Sequence, residues 1–214
     1  MMKKHLLMAA ALTLTVLAAP ALAAENGTYR DTRAGSVYND SSLTGFYVGA
    51  LGGYGWSDLG TSIGNANPAG GDYGLFFGYK LDQYLQNSLG INGAIEFHYA
   101  WSNADDNVAG IDVEKDHEWG VSFRPGLSFL PGLSSMTAIN PYGILGYKRT
   151  QYSASAGAIS GDESYDGFEL GIGTELVAWG NMGLRAEYAH TWYHEENGID
   201  PDEDTLRMGL AYHF

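Results

Sequence analysis

The chain contains no cysteine, so no disulfide can hold it together if it is exported. Beyond its first two dozen residues it also has no uninterrupted apolar run approaching the ~20 residues a membrane-spanning helix requires. If the chain crosses a membrane, it must therefore do so as a closed barrel, because a spanning sheet cannot leave an unpaired edge in hydrocarbon. Basic residues are scarce as well: Lys and Arg number 11 against 25 Asp and Glu, for a formal charge of −14 at pH 7. That balance excludes nucleic acid as a partner. It describes a surface that repels anions or gathers cations.

What is present begins with an address. Met1-Met2-Lys3-Lys4-His5 is followed by an apolar run from Leu6 to Leu17 and then by Ala18-Ala19-Pro20-Ala21-Leu22-Ala23. A basic start, a short apolar stretch and an A-x-A exit describe a secretory signal peptide, here residues 1–23. Its removal takes Lys3 and Lys4 and leaves the mature chain more acidic still. Residues 24–43 are polar and aperiodic and read as a periplasmic lead-in. Residues 44–214 read as one β-rich domain, with 30 Gly and 15 Tyr. Tyr favours strands and membrane interfaces.

The last eleven residues, Asp204 to Phe214, alternate strictly. Leu206, Met208, Leu210, Tyr212 and Phe214 fall on one parity, with Arg207, Gly209, Ala211 and His213 between them. In an extended strand this gives one bulky apolar face and one small or polar face. The same pattern recurs upstream and predicts eight strands: Thr44–Trp56, Asp72–Leu81, Leu89–Ser102, Asp116–Leu130, Ile139–Ser153, Tyr165–Trp179, Met182–Glu195 and Asp204–Phe214. Connections alternate long and short, which predicts an up-and-down barrel with both termini on the short-turn side.

The facing of that barrel follows from volume. The bulky parity carries Tyr73, Leu75, Phe77 and Tyr79, then Ile91, Ile95, Phe97 and Trp101, and continues through Phe123, Leu127, Phe168, Ile172 and Leu184 to the last strand. An eight-stranded barrel holds roughly a dozen inward side chains, too few for all of these. The opposite parity, rich in Gly, Ala and Ser, does fit. The bulky face therefore points outward, which excludes a soluble barrel and requires lipid. Trp56, Trp101, Trp119 and Trp192 are expected at the long-loop rim and Trp179 at the short-turn rim. With Tyr54, Tyr99, Tyr142 and Phe214 they would form two interfacial girdles.

Two stretches carry a family resemblance. Gly45-Phe46-Tyr47-Val48-Gly49-Ala50 with Gly53-Tyr54-Gly55-Trp56, and Arg207-Met208-Gly209-Leu210-Ala211-Tyr212-His213-Phe214, resemble the first and closing strands of the small opacity-protein and OmpA-like outer-membrane barrels, especially the alphaproteobacterial surface-antigen group. The resemblance implies an all-β, eight-stranded antiparallel transmembrane β-barrel in the bacterial outer membrane. It also implies that Leu206, Met208, Leu210, Tyr212 and Phe214 are an assembly signal. Its implied partners are outer-membrane lipid and lipopolysaccharide, the barrel-assembly machinery, and host or surface ligands. Here His213 stands where many relatives have Arg.

Inward parity places Lys80, Arg124, Arg185 and Arg207 against Glu96, Glu169, Glu175 and Glu187. Interior charges are tolerable only when paired and hydrogen-bonded, so these predict an ion network that plugs the barrel. The rival reading is a narrow pore for ions or small solutes. Lys148 and Arg149 remain unassigned, because Tyr142, Ile144, Leu145 and Tyr147 use both parities. The long loops collect acids, among them Asp105, Asp106, Asp112, Glu114, Asp162, Asp202 and Glu203. No cofactor, metal centre or catalytic set is expected. His190 and His194 would lie about 13 Å apart on a strand, too far to share one metal ion. His190-Thr191-Trp192 lacks the neighbouring Ser of a lipid A deacylase. Asp200-Pro201-Asp202-Glu203-Asp204 lacks the Gly and Glu of a calcium loop. The expected role is structural and surface-interactive, without enzymatic activity.

Overall fold

The computed structural model describes residues 43–61, 64–86, 89–108, 110–130, 136–156, 159–179, 181–195 and 200–214. The leader and nearly all of the lead-in expected from the sequence lie outside these residues. Ten strands are formed: β1 (Gly45–Thr61), β2 (Gly64–Ala66), β3 (Ala69–Gln86), β4 (Leu89–Ser102), β5 (Asp105–Val108), β6 (Ile111–Phe129), β7 (Met136–Ala156), β8 (Ile159–Ala178), β9 (Met182–Tyr193) and β10 (Asp200–His213). All pairings are antiparallel.

The ladder returns on itself. β1 pairs β3 on one side and β10 on the other, and the sequence β10-β9-β8-β7-β6-β4-β3 completes a closed ring of hydrogen bonds. β5 joins the ring by pairing both β6 and β3, so nine strands take part, while β2 folds back on the end of β1. At the seam Tyr47 lies opposite His213, and the Phe214 N–H donates to the Phe46 carbonyl at 3.0 Å.

Facing is governed by close approach inside the ring. Phe46, Tyr73, Leu75, Phe77, Ile95, Phe123, Phe168, Leu184, Leu206, Met208, Leu210 and Phe214 are exposed on the outside. Tyr47 and Phe76 instead turn inward and are buried, because glycines opposite them leave room. A Cβ on Gly78 would stand 2.4 Å from the Tyr47 hydroxyl, and one on Gly49 would stand 2.2 Å from the Phe76 ring.

Several expectations need correction. The strands run on through segments that the sequence reads as loops: β6, β7 and β8 are 19, 21 and 20 residues long, about twice the length needed to cross a bilayer. These extensions carry few bulky apolar side chains, so the ladder continues without a strong hydrophobic alternation to reveal it. Consequently Trp56 and Trp119 do not mark strand ends, since β1 continues to Thr61 and β6 starts at Ile111. Tyr142 is buried in the interior and belongs to no girdle. The ambiguous β7 proves strictly alternating: Asn140, Tyr142, Ile144, Lys148, Thr150 and Tyr152 point inward, while Leu145, Tyr147 and Arg149 point outward.

Gly49→Val should therefore drive a side chain into the Phe76 ring and the Leu210 carbonyl, destabilising the fold by about 1–3 kcal/mol. Gly52→Val, whose Cβ meets nothing closer than 3.9 Å, should leave stability unchanged. Urea unfolding of the two variants in detergent, followed by Trp fluorescence, checks the contrast.

Candidate functional site

The ring encloses charge in layers. In the layer nearer the chain termini, Arg185 Nη1 lies 2.5 Å from Glu96 Oε2 and its Nε lies 2.9 Å from Glu175 Oε1. Arg124 Nη2 is 2.6 Å from Glu96 Oε1, and its other terminal nitrogen pairs with Glu187. Lys80 Nζ reaches Glu175 Oε2 at 3.4 Å, and His213 Nε2 approaches Glu175 Oε1 at 3.1 Å. The Tyr47 and Tyr142 hydroxyls donate to Glu96 and Glu187 at 2.9 and 2.6 Å. The Arg185 guanidinium also sits over the Tyr47 and Phe76 rings, 4.7 and 4.5 Å from their centroids. Such stacking suits a planar, weakly hydrated cation in a confined space.

Six of the eight expected interior charges thus meet in one cluster. Arg207 and Glu169 instead form a pair of their own further along the ring. All eight are buried.

A second cluster lies toward the opposite end, and sequence reasoning missed it. Lys115 Nζ is 2.5 Å from Glu203 Oε1, 2.9 Å from Glu118 Oε2 and 3.3 Å from Asp72 Oδ2. Lys148 Nζ is 2.7 Å from Glu203 Oε2 and 3.0 Å from Glu118 Oε2. The Tyr193 hydroxyl donates to Glu203 at 2.6 Å. The carboxylate oxygens of Asp72, Glu118 and Glu203 lie within 4.8 Å of one another, close enough to share a cation. Here the two ammonium groups fill that place. Glu203, expected in a solvated loop, is fully buried.

The signals for this cluster differ in legibility. Glu118 shares the inward parity of Ser122 and Arg124 and was readable. Lys148 shares the inward parity of Tyr142 and Ile144 on β7, a strand whose bulky residues use both parities. Lys115 lies on the opposite parity to Glu118, and a β-bulge between Lys115 and His117 turns it inward. A bulge inserts one residue and reverses the facing beyond it.

Apolar clusters flank the charged residues. Leu59, Ala66, Tyr152, Tyr165 and Tyr193 pack above the second cluster, and Leu43, Ala138 and Val177 pack at the end near the termini. A cavity of about 20 Å³ remains among Tyr47, Lys80, Arg124, Glu175 and Arg185, room for about one water.

Outside, aromatic side chains lie in contact. Tyr73 stacks with Trp101 at 5.8 Å, Phe97 with Trp119 at 6.3 Å, and Phe168 with Trp192 at 6.4 Å. Tyr54 lies 6.3 Å from Trp56, and Trp179 is exposed at the β8–β9 turn. His190 Nδ1 lies 2.9 Å from Asp204 Oδ1, an acceptor it shares with the Tyr188 hydroxyl. Arg149 projects outward beside Asp166 at 3.4 Å.

Removing one ammonium from the second cluster leaves three buried carboxylates facing one cation. Lys148→Met should therefore lower stability by about 3–5 kcal/mol, the scale for breaking a buried pair from one side. Adding Glu118→Gln to Lys148→Met should recover part of that loss. Urea midpoints of wild type, single and double variants in detergent test both statements.

The geometry can now be set beside known proteins. The family described as Outer membrane protein beta-barrel domain matches residues 9–214. No curated protein matches significantly. Among solved structures, the chain is similar to Neisserial surface protein A (NspA) at 17% identity, covering 80% of this chain and 98% of that one with a TM-score of 0.51. It is also similar to Ail, the attachment invasion locus protein of Yersinia pestis, at 18% identity, 78% and 99% coverage and a TM-score of 0.40. At 17% identity the likeness to NspA speaks to fold alone. The chain belongs to the outer membrane protein β-barrel domain family and is a bacterial outer-membrane β-barrel protein.

Proposed function

We propose that this protein is a non-enzymatic, surface-displayed barrel of the outer membrane, structural in role, whose interior is plugged by ion pairs. In this reading the eight long strands β1, β3, β4, β6, β7, β8, β9 and β10 are the transmembrane wall of an up-and-down barrel. Residues 1–23 are its cleaved leader, 24–43 its periplasmic lead-in and 44–214 the barrel.

One observation carries the reading: polarity is turned inside out. Lys80, Lys115, Arg124, Lys148, Arg185 and Arg207 are all buried and paired, leaving Arg149 as the outward-facing Lys or Arg among the described residues. Large apolar side chains cover the outside, where only lipid makes them favourable. A narrow pore is the weaker reading. A conducting path would have to break both charged layers and pass both apolar clusters, whose residues are packed against one another.

On the same reading Trp56, Trp101, Trp119, Trp179 and Trp192 anchor the barrel at the two lipid–water boundaries. The outward Leu206, Met208, Leu210, Tyr212 and Phe214 serve as the signal read by the assembly machinery. Lipopolysaccharide surrounds the outer rim. The long hairpins of β5–β6 and β7–β8 carry Asp105, Asp106, Asp112, Glu114 and Asp162 clear of the membrane to meet extracellular ligands.

Two measurements test the proposal. The refolded mature chain should give no single-channel steps in a planar bilayer at either polarity. Reproducible steps that change with Glu96→Gln would replace the plug with a path. Trp fluorescence should be quenched more strongly by lipids brominated near the headgroup than near the chain terminus, and the reverse order would remove the girdle.

A further inference from the structure

The wall of the barrel is uneven at its long-loop end. β9 stops at Tyr193, whereas its neighbour β8 extends to Ile159. The β8–β9 ladder ends at Gly167 opposite Tyr193, followed by one further bond from the His194 N–H to the Asp166 carbonyl at 2.7 Å. Beyond that bond β8 keeps its pairing with β7 out to Ile159. Among the described residues no strand pairs its other side.

The hydrogen-bonding groups on that side can be assigned. Asp166 turns its carbonyl toward β9. In an antiparallel ladder both backbone groups of a residue point the same way and alternate along the strand. The N–H and C=O groups of Ser164, Asp162 and Ser160 therefore face the open side. These three residues present their side chains on the outer face, with Asp162 and Ser160 exposed.

We propose that this edge of β8, from Ser160 to Asp166, accepts an extended basic peptide segment as an added strand. The inference rests on the exposed edge and its charge, and holds whether or not the barrel conducts. Three features define the occupant. The edge supplies main-chain donors and acceptors, the means by which sheets recruit extended peptides. Asp166 on the outer face is already held by Arg149 at 3.4 Å and the Tyr147 hydroxyl at 2.6 Å, so the acids that face an incoming strand are Asp162 on the edge and Glu195, exposed where β9 ends. A cation at every second position of the incoming strand would meet them. At the foot of the edge lies an open groove of about 310 Å³ between Tyr147, Asp166, Phe168, Trp192 and His194. An arginine side chain could lie there against aromatic faces with a carboxylate at its rim.

A second copy of this chain is disfavoured as the occupant. Edge-to-edge pairing would set Asp162 against the same acids of a molecule that also carries −14, the charge device by which natural edges avoid self-association.

The test uses the folded mature protein in nanodiscs and a fluorescent seven-residue peptide alternating Lys with Val. Anisotropy should report binding that weakens as salt rises. The same peptide N-methylated at alternate residues keeps its charge and loses its ladder hydrogen bonds. It should bind about tenfold more weakly, the effect of losing one or two net hydrogen bonds. Asp162→Pro removes an N–H that faces away from β7, so the hairpin should stay folded by heat-dependent gel mobility while affinity falls by a similar factor. Asp162→Asn should weaken binding through charge alone. Absence of peptide binding, equal affinity for the N-methylated peptide, or an undiminished Asp162→Pro variant would each overturn strand addition.

Discussion

Everything in this molecule depends on the requirement that no backbone amide or carbonyl be left unpaired in hydrocarbon. The ring meets it by pairing β1 with both β3 and β10, so that the first and last strands close against each other. Once closed, the circumference is fixed and so is the space inside. Bulky residues are driven outward, and those that remain inside need a glycine across from them, as Tyr47 needs Gly78, Phe76 needs Gly49 and Tyr142 needs Gly173. The choice of inward residue is thus set by the paired residue on the adjacent strand as much as by the strand on which it sits.

Charge obeys the same confinement. A buried Lys or Arg is costly unless its hydrogen-bonding capacity is met. Here Glu96 bridges Arg124 and Arg185, Glu175 bridges Arg185, Lys80 and His213, and Glu203 bridges Lys115 and Lys148. Each carboxylate receives more than one cation, and partners come from strands far apart in sequence. A slip of one residue in any ladder would turn its charges out into lipid. The clusters therefore fix register as well as fill volume.

The outward face was legible in the sequence, because lipid-facing alternation is a strong and periodic signal, and the eight charges placed on the opposite parity are all buried. The sequence was silent where a strand carries few bulky apolar side chains, which is why β1, β6, β7, β8 and β10 all begin or end beyond their expected limits. It was also silent where parity breaks. Lys115 enters the lumen only through the bulge before His117, and no local residue type announces that bulge. Tyr142 illustrates a third case: an aromatic at a plausible rim position turns inward because Gly173 leaves it room and Glu187 takes its proton donor. Such decisions belong to cross-strand contacts, which one strand's sequence does not contain.

The extra length of the strands bears directly on what the surface can do. A flexible loop that carries acids must be ordered when it binds, and that ordering opposes association. Asp112, Glu114 and Asp162 are instead held on ladders continuous with the barrel wall, with Asp112 opposite Ser155 and Asp162 opposite Ser153. Their spacing is set before any partner arrives. The buried column beneath them holds the ladders in place: Lys115 and Glu203 link β6 to β10 across the lumen, Lys148 and Glu118 link β7 to β6, and Tyr152, Tyr165 and Tyr193 pack directly above. The interior charges therefore act beyond their own layer of the barrel. They tie the extended β6, β7 and β10 ladders to one another, so that interior pairing and the order of the extensions are consequences of one set of contacts.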